Sequence, residues 1–169
     1  MRIAFLHGLE SGPHGRKFRA LKERWPDVLA PDCTGVLDVE IRVQRVREAL
    51  TGQGPLVLVG SSFGGLVAAI LADEPGALDI AGIVLCAPAL QTPAAASLAR
   101  SAAACVIVHG REDDIVPISA SRVYAQRFGS TLIEVKDGHR LADSSARLMG
   151  EVATMLAVLS AASLTASGE

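Results

Sequence analysis

A serine flanked by glycines is the residue of this chain best placed to act as a nucleophile. Residues 60–64 read G-S-S-F-G, which matches the pattern G-x-S-x-G and directly follows the apolar run 56–59. In this pattern the serine occupies a sharp turn from a strand into a helix, and the flanking glycines leave room for that turn. The pattern therefore predicts Ser62 as the nucleophile of an acyl-transfer reaction, while Ser61 occupies a variable position.

A histidine and an aspartate follow later apolar runs, where they could complete a triad with Ser62. His139 comes directly after a glycine, behind the last apolar run, and can serve as a general base. Asp113 and Asp114 both follow the run 106–108, and an acid there can hold the tautomer of the imidazole. Spacing alone does not separate the two aspartates. The order serine, aspartate, histidine is the one expected for this triad on a parallel sheet.

The segment after the first apolar run contains a glycine that could shape an oxyanion site. Acyl transfer needs two backbone N–H groups directed at the oxygen that becomes negative. We expect one from Phe63, directly after the nucleophile. The other is expected from Leu9, because Gly8 lets the backbone turn toward the site. His7 is expected to brace this loop rather than to act as a base.

Six short apolar runs alternate with helical periodicities and predict the scaffold that positions these residues. This alternation is typical of an α/β fold with about six mainly parallel strands and helices on both faces of the sheet. Candidate functional residues should then lie at the carboxyl edge of the sheet, directly behind strands. The predicted strands are 2–7, 28–31, 55–60, 80–87, 104–109 and 131–135.

The helical periodicities predict which side chains face water. In the helix that begins at Val39, three arginines lie opposite the apolar stripe and are expected on the solvent side: Arg42, Arg45 and Arg47. Further helices are predicted over 63–73, 118–128 and 141–160, and residues 161–169 are expected to form a disordered tail. The chain has 169 residues and no linker, so we expect one domain, 1–160.

Composition and charge argue against several classes of partner. The net charge of −2 provides no general attraction to polyanions, so nucleic acid is not an expected partner. We find no signal-peptide core and no apolar stretch of roughly 18 residues, and expect a cytoplasmic protein without a membrane span. Cys86 and Cys105 fall in predicted buried strands, and no cysteine or histidine shows metal-ligand spacing. Neither a metal nor an organic cofactor is expected.

With these segments the sequence resembles the α/β-hydrolase superfamily over nearly its whole length, and within it the small bacterial esterases without a cap domain. The resemblance implies Ser62 as nucleophile and His139 as base. It also selects Asp113 over Asp114, because the family's acid lies three residues after the glycine of an H-G-x-x-D-x-x-V-P segment, here 109–117. The residue after the first H-G pair is implied as an oxyanion donor.

The resemblance implies a serine hydrolase that cleaves a carboxylic ester or thioester of a small acyl group through an acyl-enzyme. Residues 88–103, where larger members insert a lid, are short and rich in alanine, so we expect an open site that favours short acyl groups. Arg16 and Lys17 are expected on a solvated helix face or, as a sharper hypothesis, against an anionic leaving group such as coenzyme A. The alternative function is a catalytically silent small-molecule-binding protein on the same scaffold.

Overall fold

A sheet of five parallel strands is the centre of the computed structural model, which describes residues 1–74, 76, 78–99 and 104–166. The strands follow their chain order across the sheet, which confirms the predicted α/β fold with a parallel sheet. The strands are β1 (Arg2–Leu6), β2 (Leu56–Ser61), β3 (Ile80–Cys86), β4 (Cys105–Gly110) and β5 (Thr131–Val135). The helices are α1 (Arg16–Arg24), α2 (Val39–Leu50), α3 (Phe63–Asp73), α4 (Pro93–Ala96), α5 (Ile118–Phe128) and α6 (Ser145–Ala166).

The segment 28–31, predicted as a sixth strand, forms an isolated bridge at the edge of the sheet instead. The Leu29 N–H donates to the Ile3 carbonyl at 2.9 Å, and the Leu29 carbonyl accepts from the Phe5 N–H at 2.8 Å. The next hydrogen bond of a parallel ladder would need an N–H at position 31, which is proline and has none. The sheet therefore has five strands in the described part of the chain, and not six.

The strands direct their side chains alternately into two separate cores. In β2, Leu56 and Leu58 face one core, whereas Val57 and Val59 face the other, and all four are fully buried. Helices α2, α3, α4 and α5 cover the first core, and α1 and α6 cover the second. Because both faces of the sheet are covered, residues 56–59 of β2 are apolar in succession rather than alternating.

Helix α6 extends further toward the C-terminus than the periodicity predicts. It begins at Ser145 and continues to Ala166, whereas the predicted helix spans 141–160. The prediction of a disordered tail is therefore wrong for residues 161–166, which are helical, and residues 167–169 lie outside the described part. The added residues 161–166 include three alanines and one leucine, which favour helices. The small polar residues among them also bond within the helix, since the Ser163 hydroxyl donates to the Leu159 carbonyl at 2.9 Å.

The same helix is long and apolar enough to cross a membrane, which differs from the expectation that the chain has no such stretch. Its segment Ser145–Thr165 has 21 residues and a mean hydropathy of 1.5. Part of this apolar character belongs to the core, because Leu148, Val152 and Met155 are buried against the sheet. Core helices of other proteins pass the same test of length and composition.

The connection from β3 to β4 is the segment expected to be too short for a cap domain. Its described part contains only the four-residue helix α4 and no separate domain. Residues 100–103 lie outside the described residues. The loops that follow β1, β2, β4 and β5 then build the candidate site at the carboxyl edge of the sheet.

Candidate active site

Ser62 lies at a strained turn between β2 and α3. Its backbone has φ 53° and ψ −117°, and a positive φ is uncommon for a residue with a side chain. The turn is held by the Ser62 N–H, which donates to the Cys86 carbonyl at the end of β3 at 2.9 Å. The Ser62 carbonyl accepts from the Gly65 N–H at 2.9 Å. The turn places the serine at the carboxyl edge of the sheet, as the motif predicts.

The glycines of the motif are required because backbone atoms occupy the space of a side chain. A Cβ on Gly60 would lie 2.6 Å from the Gly64 carbonyl oxygen. A Cβ on Gly64 would lie 2.1 Å from the carbonyl oxygen of Leu6, the last residue of β1. Gly64 therefore allows the start of α3 to approach β1, which brings Ser62 beside the loop that follows β1.

We predict that Gly64→Ala lowers the free energy of unfolding by about 3 kcal/mol or more, because neither backbone segment can move without disrupting the sheet. Chemical denaturation measures the effect. Gly150→Ala is the matched control, since an added Cβ there meets nothing within 4 Å and alanine favours the helix by about 0.5–1 kcal/mol. A Gly64→Ala protein as stable as the wild type would contradict the close approach of α3 and β1.

The structure brings the three predicted side chains into one hydrogen-bonded row. His139 Nε2 lies 3.0 Å from Ser62 Oγ, and His139 Nδ1 lies 2.8 Å from Asp113 Oδ2. The three residues follow three different strands, β2, β5 and β4. The Asp113 side chain is fully buried, whereas 15% of the His139 side chain is exposed. The carboxylate end of the row is thus shielded from water, and the hydroxyl end is accessible.

Asp113, and not Asp114, contacts His139. Asp113 Oδ1 accepts hydrogen bonds from the N–H groups of Ile115 at 2.9 Å and Val116 at 2.8 Å, which orients Oδ2 toward the histidine. Asp114 is exposed. Burial opposes ionisation of Asp113, but hydrogen bonds from these two N–H groups and from His139 outweigh it and hold its pKa below its ordinary value. Asp113 is therefore ionised at neutral pH.

A second histidine, which the motifs did not single out as a site residue, lies on the other side of Asp113. His109 is fully buried, and its Nε2 lies 3.0 Å from Asp113 Oδ2 and 3.1 Å from the Val116 carbonyl. Because two acceptors face Nε2, this nitrogen carries the proton, and Nδ1 accepts from the Ser121 hydroxyl at 2.7 Å. Burial lowers the pKa of His109, so a neutral imidazole donates to the carboxylate. The feature of the sequence that could have pointed to His109 is its position four residues before Asp113.

The loop that carries His139 is closed by the Asp137 carboxylate. This carboxylate accepts hydrogen bonds from three backbone N–H groups at 2.8 to 2.9 Å, those of Gly138, Asp143 and Ser144. Leu141 in the same loop has a positive φ of 50° and is buried. Such a backbone conformation persists only where the surrounding structure holds it. The position of His139 therefore depends on contacts around this loop.

Arg16 and Lys17 donate into the same loop from the start of α1. The Arg16 guanidinium donates from Nη2 to the Ala142 carbonyl at 2.8 Å, and Lys17 Nζ donates to the Arg140 carbonyl at 2.9 Å. The Lys17 acceptor, Arg140, directly follows His139, and the Arg16 acceptor, Ala142, lies three residues after His139 in the same loop. A contact of these cations with an anionic leaving group stays a prediction, while their contact with the histidine loop is a feature of the fold.

We predict that replacing both Arg16 and Lys17 with alanine lowers kcat about tenfold for acyl-CoA and for neutral p-nitrophenyl esters alike, because a loosened loop misplaces His139. Steady-state kinetics on both substrates measure this. Arg19→Ala, at an exposed position of the same helix, is the control and should match the wild type. A rise in KM confined to acyl-CoA would contradict the prediction and favour the leaving-group contact.

Gly8 places the loop after β1 directly beside the serine. A Cβ on Gly8 would lie 3.3 Å from Ser62 Cβ and 3.4 Å from the Ser61 carbonyl oxygen. The N–H groups of Leu9 and Phe63, the predicted oxyanion donors, make no hydrogen bond within the described residues. Phe63 is the first residue of α3, where N–H groups have no partner inside the helix. Both donors are therefore available to a ligand.

His7 holds this loop from its buried side. Its Nε2 accepts from the Cys33 N–H at 3.0 Å, so Nδ1 carries the proton and donates to the Gly8 carbonyl at 2.7 Å. Burial lowers the pKa of His7, which keeps the imidazole neutral and this tautomer in place. His7 therefore braces the loop, as its position in the sequence predicts.

These groups together can perform nucleophilic acyl transfer. An imidazole bonded to a hydroxyl can remove its proton, and a buried carboxylate can hold the imidazole tautomer and stabilise the imidazolium. Two unpartnered N–H groups beside the hydroxyl can stabilise a developing oxyanion. Each of these functions has a candidate residue at the carboxyl edge of this sheet.

The chain is similar in sequence and in fold to known proteins. The sequence profile of the alpha/beta hydrolase family matches residues 3–166. A protein of Xanthomonas campestris pv. campestris assigned to the alpha/beta hydrolase superfamily is 30% identical, with a TM-score of 0.78 over 93% of this chain and 98% of that protein. No curated protein matches the chain.

Two further solved structures share the fold at lower identity. Est1E from Butyrivibrio proteoclasticus is 16% identical, with a TM-score of 0.73 over 92% of this chain and 88% of Est1E. The monoacylglycerol lipase of Paleococcus ferrophilus is also 16% identical, with a TM-score of 0.70 over 94% of this chain and 93% of the lipase. Both therefore have this architecture over nearly their whole length.

Proposed function

Because the chain belongs to the alpha/beta hydrolase family, we propose that it is a serine hydrolase that cleaves a carboxylic ester or thioester of a small acyl group. The observation that carries the proposal is the hydrogen-bonded row from Ser62 Oγ through His139 to Asp113. The base lies within hydrogen-bond reach of the hydroxyl, and the carboxylate bonded to the base is buried and ionised. A row with these properties activates a nucleophile.

The acylation half of the reaction follows from these positions. Ser62 Oγ attacks the carbonyl carbon of the substrate while His139 Nε2 takes the hydroxyl proton. The imidazolium then donates from Nδ1 to Asp113, which stabilises its charge. The carbonyl oxygen becomes an oxyanion and accepts hydrogen bonds from the Leu9 and Phe63 N–H groups. When the tetrahedral intermediate breaks down, His139 gives its proton to the leaving oxygen or sulfur, and the acyl group stays on Ser62.

Deacylation repeats these steps with water as the nucleophile. His139 removes a proton from a water molecule, the resulting hydroxide attacks the acyl carbon, and the same N–H groups stabilise the second oxyanion. His139 then returns the proton to Ser62 Oγ, and the carboxylic acid leaves. His109 stays neutral throughout and donates to Asp113, which keeps the carboxylate from taking a proton itself.

The preference for small acyl groups rests on the open carboxyl edge of the sheet. The described part of the connection between β3 and β4 contains only α4, at the place where larger members of the family insert a lid. His139 is partly exposed at this edge. We expect the highest kcat/KM with acetate and butyrate esters, because a longer chain gains no apolar enclosure.

The experiment that tests the proposal measures kcat/KM for p-nitrophenyl acetate, butyrate, octanoate and palmitate, with the acyl-CoA of the same acyl groups in parallel. A kcat/KM that falls for acyl groups longer than butyrate supports a small-acyl hydrolase. Comparison of the esters with the acyl-CoA series shows whether the leaving atom is oxygen or sulfur. Equal kcat/KM for the palmitate and acetate esters would contradict the small-acyl preference.

A further inference from the structure

Arg42 is buried, although the pattern of α2 predicts it on the solvent side of the helix. Only 1% of its surface is exposed. Its guanidinium donates to four backbone carbonyls, namely from Nε to Val36 at 2.6 Å, from Nη1 to His7 at 3.0 Å and Gly8 at 3.4 Å, and from Nη2 to Cys33 at 3.1 Å.

The charge of this guanidinium has no counterion among the described residues. Its surroundings provide carbonyl dipoles and the Cys33 thiol, and no carboxylate in the part of the chain that the structure describes forms an ion pair with it. Burial lowers the pKa of Arg42, yet arginine stays charged at neutral pH. Burying an unpaired charge lowers the stability of the folded protein, so an apolar side chain at this position would give a more stable fold.

The contacts of Arg42 set the orientation of one peptide group beside Ser62. The Gly8 carbonyl accepts from both His7 Nδ1 and Arg42 Nη1, so it points into the buried side of the loop. The Gly8–Leu9 peptide is trans, and in a trans peptide the N–H points away from the carbonyl. The Leu9 N–H is thereby directed away from Arg42. Hydrogen bonds to the carbonyl also polarise the peptide and strengthen its N–H as a donor.

Arg42 also contacts the residue that carries the other candidate donor. The centre of its guanidinium, Cζ, lies 5.2 Å from the centroid of the Phe63 ring, within the range of a cation–π interaction. Phe63 follows Ser62 and supplies the second N–H that has no hydrogen-bond partner among the described residues. One buried side chain therefore touches the two segments whose N–H groups lie beside the serine.

We propose that Arg42 is a positioning residue that holds the Leu9 and Phe63 N–H groups as an oxyanion site and adds a fixed positive charge beneath it. The inference rests on the proposed function, because an oxyanion forms only if Ser62 attacks a carbonyl. Removing Arg42 frees the Gly8 carbonyl from one of its two donors and removes the charge, so the transition state loses more stabilisation than the bound substrate does.

The test compares Arg42→Met, Arg42→Lys and the control Arg45→Met with the wild type. Arg45 is exposed on the same helix. With p-nitrophenyl butyrate, kcat of Arg42→Met is expected to fall about 100-fold while KM changes less than about threefold. Arg42→Lys keeps the charge but has fewer donors, and its kcat should fall about tenfold. Arg45→Met should match the wild type.

A second readout separates positioning from a purely structural role. A trifluoromethyl ketone adds to the serine and forms a tetrahedral oxyanion, so its inhibition constant should rise by the same factor by which kcat/KM falls. The thermal midpoint reports the folded fraction of each variant. If Arg42→Met does not fold, kcat and the inhibition constant of Arg42→Lys test the proposal instead.

Folded Arg42 variants with kcat and inhibition constant within threefold of the wild type would overturn the inference and leave the proposed function intact. Parallel losses in stability with an unchanged inhibition constant would also overturn it, because Arg42 would then serve only the fold. A wild type that neither turns over esters nor reacts with a fluorophosphonate would contradict the proposed function itself, and with it this role of Arg42.

Discussion

Ser62→Ala is expected to lower kcat/KM for p-nitrophenyl acetate by about 10⁴- to 10⁶-fold, because the variant has no oxygen to form the acyl-enzyme. The residual activity is then that of water held near His139 and the N–H groups of Leu9 and Phe63. The fold should be retained, since the turn is held by the backbone of residue 62, which alanine also provides. Steady-state kinetics and a thermal unfolding curve measure the two effects.

Ser61→Ala is the matched control for this variant. Ser61 is the last residue of β2 and the neighbour of the nucleophile, but it occupies a variable position of the motif. Its activity should stay within about threefold of the wild type. A Ser62→Ala protein that keeps a tenth of wild-type activity would contradict the assignment of the nucleophile. A loss in Ser61→Ala as large as that in Ser62→Ala would contradict it equally.

Asp113→Asn is expected to lower kcat by about 10⁴-fold while the protein stays folded. The asparagine amide has no charge to stabilise the imidazolium, and its NH₂ group can face His139 Nδ1 and favour the wrong tautomer. His109 adds to the effect, because the oxygen of an amide is a weaker acceptor for its Nε2 than a carboxylate oxygen is. The change is measured with p-nitrophenyl butyrate, for which KM should change little.

Asp114→Asn tests the same substitution at the adjacent, exposed position. It removes the same charge from the same loop, so any general effect of net charge on the site appears in both variants. We expect wild-type kinetics. Comparable losses in the two variants would show that the loop and not the Asp113 carboxylate determines activity.

Much of the site could be predicted because its motif reflects backbone packing. Gly60 and Gly64 are glycines since a side chain at either position would meet a backbone carbonyl, and this requirement is visible as a pattern in the sequence. The strands can be predicted because both faces of the sheet are covered, which makes residues 56–59 of β2 apolar in succession. Serine, aspartate and histidine then follow strands, and parallel strands bring their carboxyl ends to one edge.

Residues that act through long-range backbone contacts could not be predicted in this way. Arg42 lies at the edge of the apolar stripe of α2, three residues after Val39 and four before Val46, but its charge assigns such a position to solvent. Its burial depends on carbonyls of residues 7 and 8, more than thirty positions away in the chain. His109 is similar, because a histidine at the end of a strand has no pattern that separates a buried neutral donor from a solvated side chain.

Other differences between the predicted and the observed structure come from single residues at the ends of helices or strands. The run 28–31 has the composition of a strand, but the missing N–H of Pro31 stops its ladder after the bridge at Leu29. The spacing of the sequence also does not show which of Asp113 and Asp114 contacts His139. They differ because Asp113 accepts the N–H groups of Ile115 and Val116, a local turn that fixes which carboxylate faces inward.

Fluorophosphonate labelling followed by intact-mass measurement tests the central claim most directly, because it reports whether Ser62 is activated without requiring the natural substrate. One adduct on the wild type, none on Ser62→Ala, and turnover of p-nitrophenyl acetate only by the wild type are the results predicted here. A folded wild-type protein that forms no adduct would show that Ser62, His139 and Asp113 do not act together, and would contradict the account.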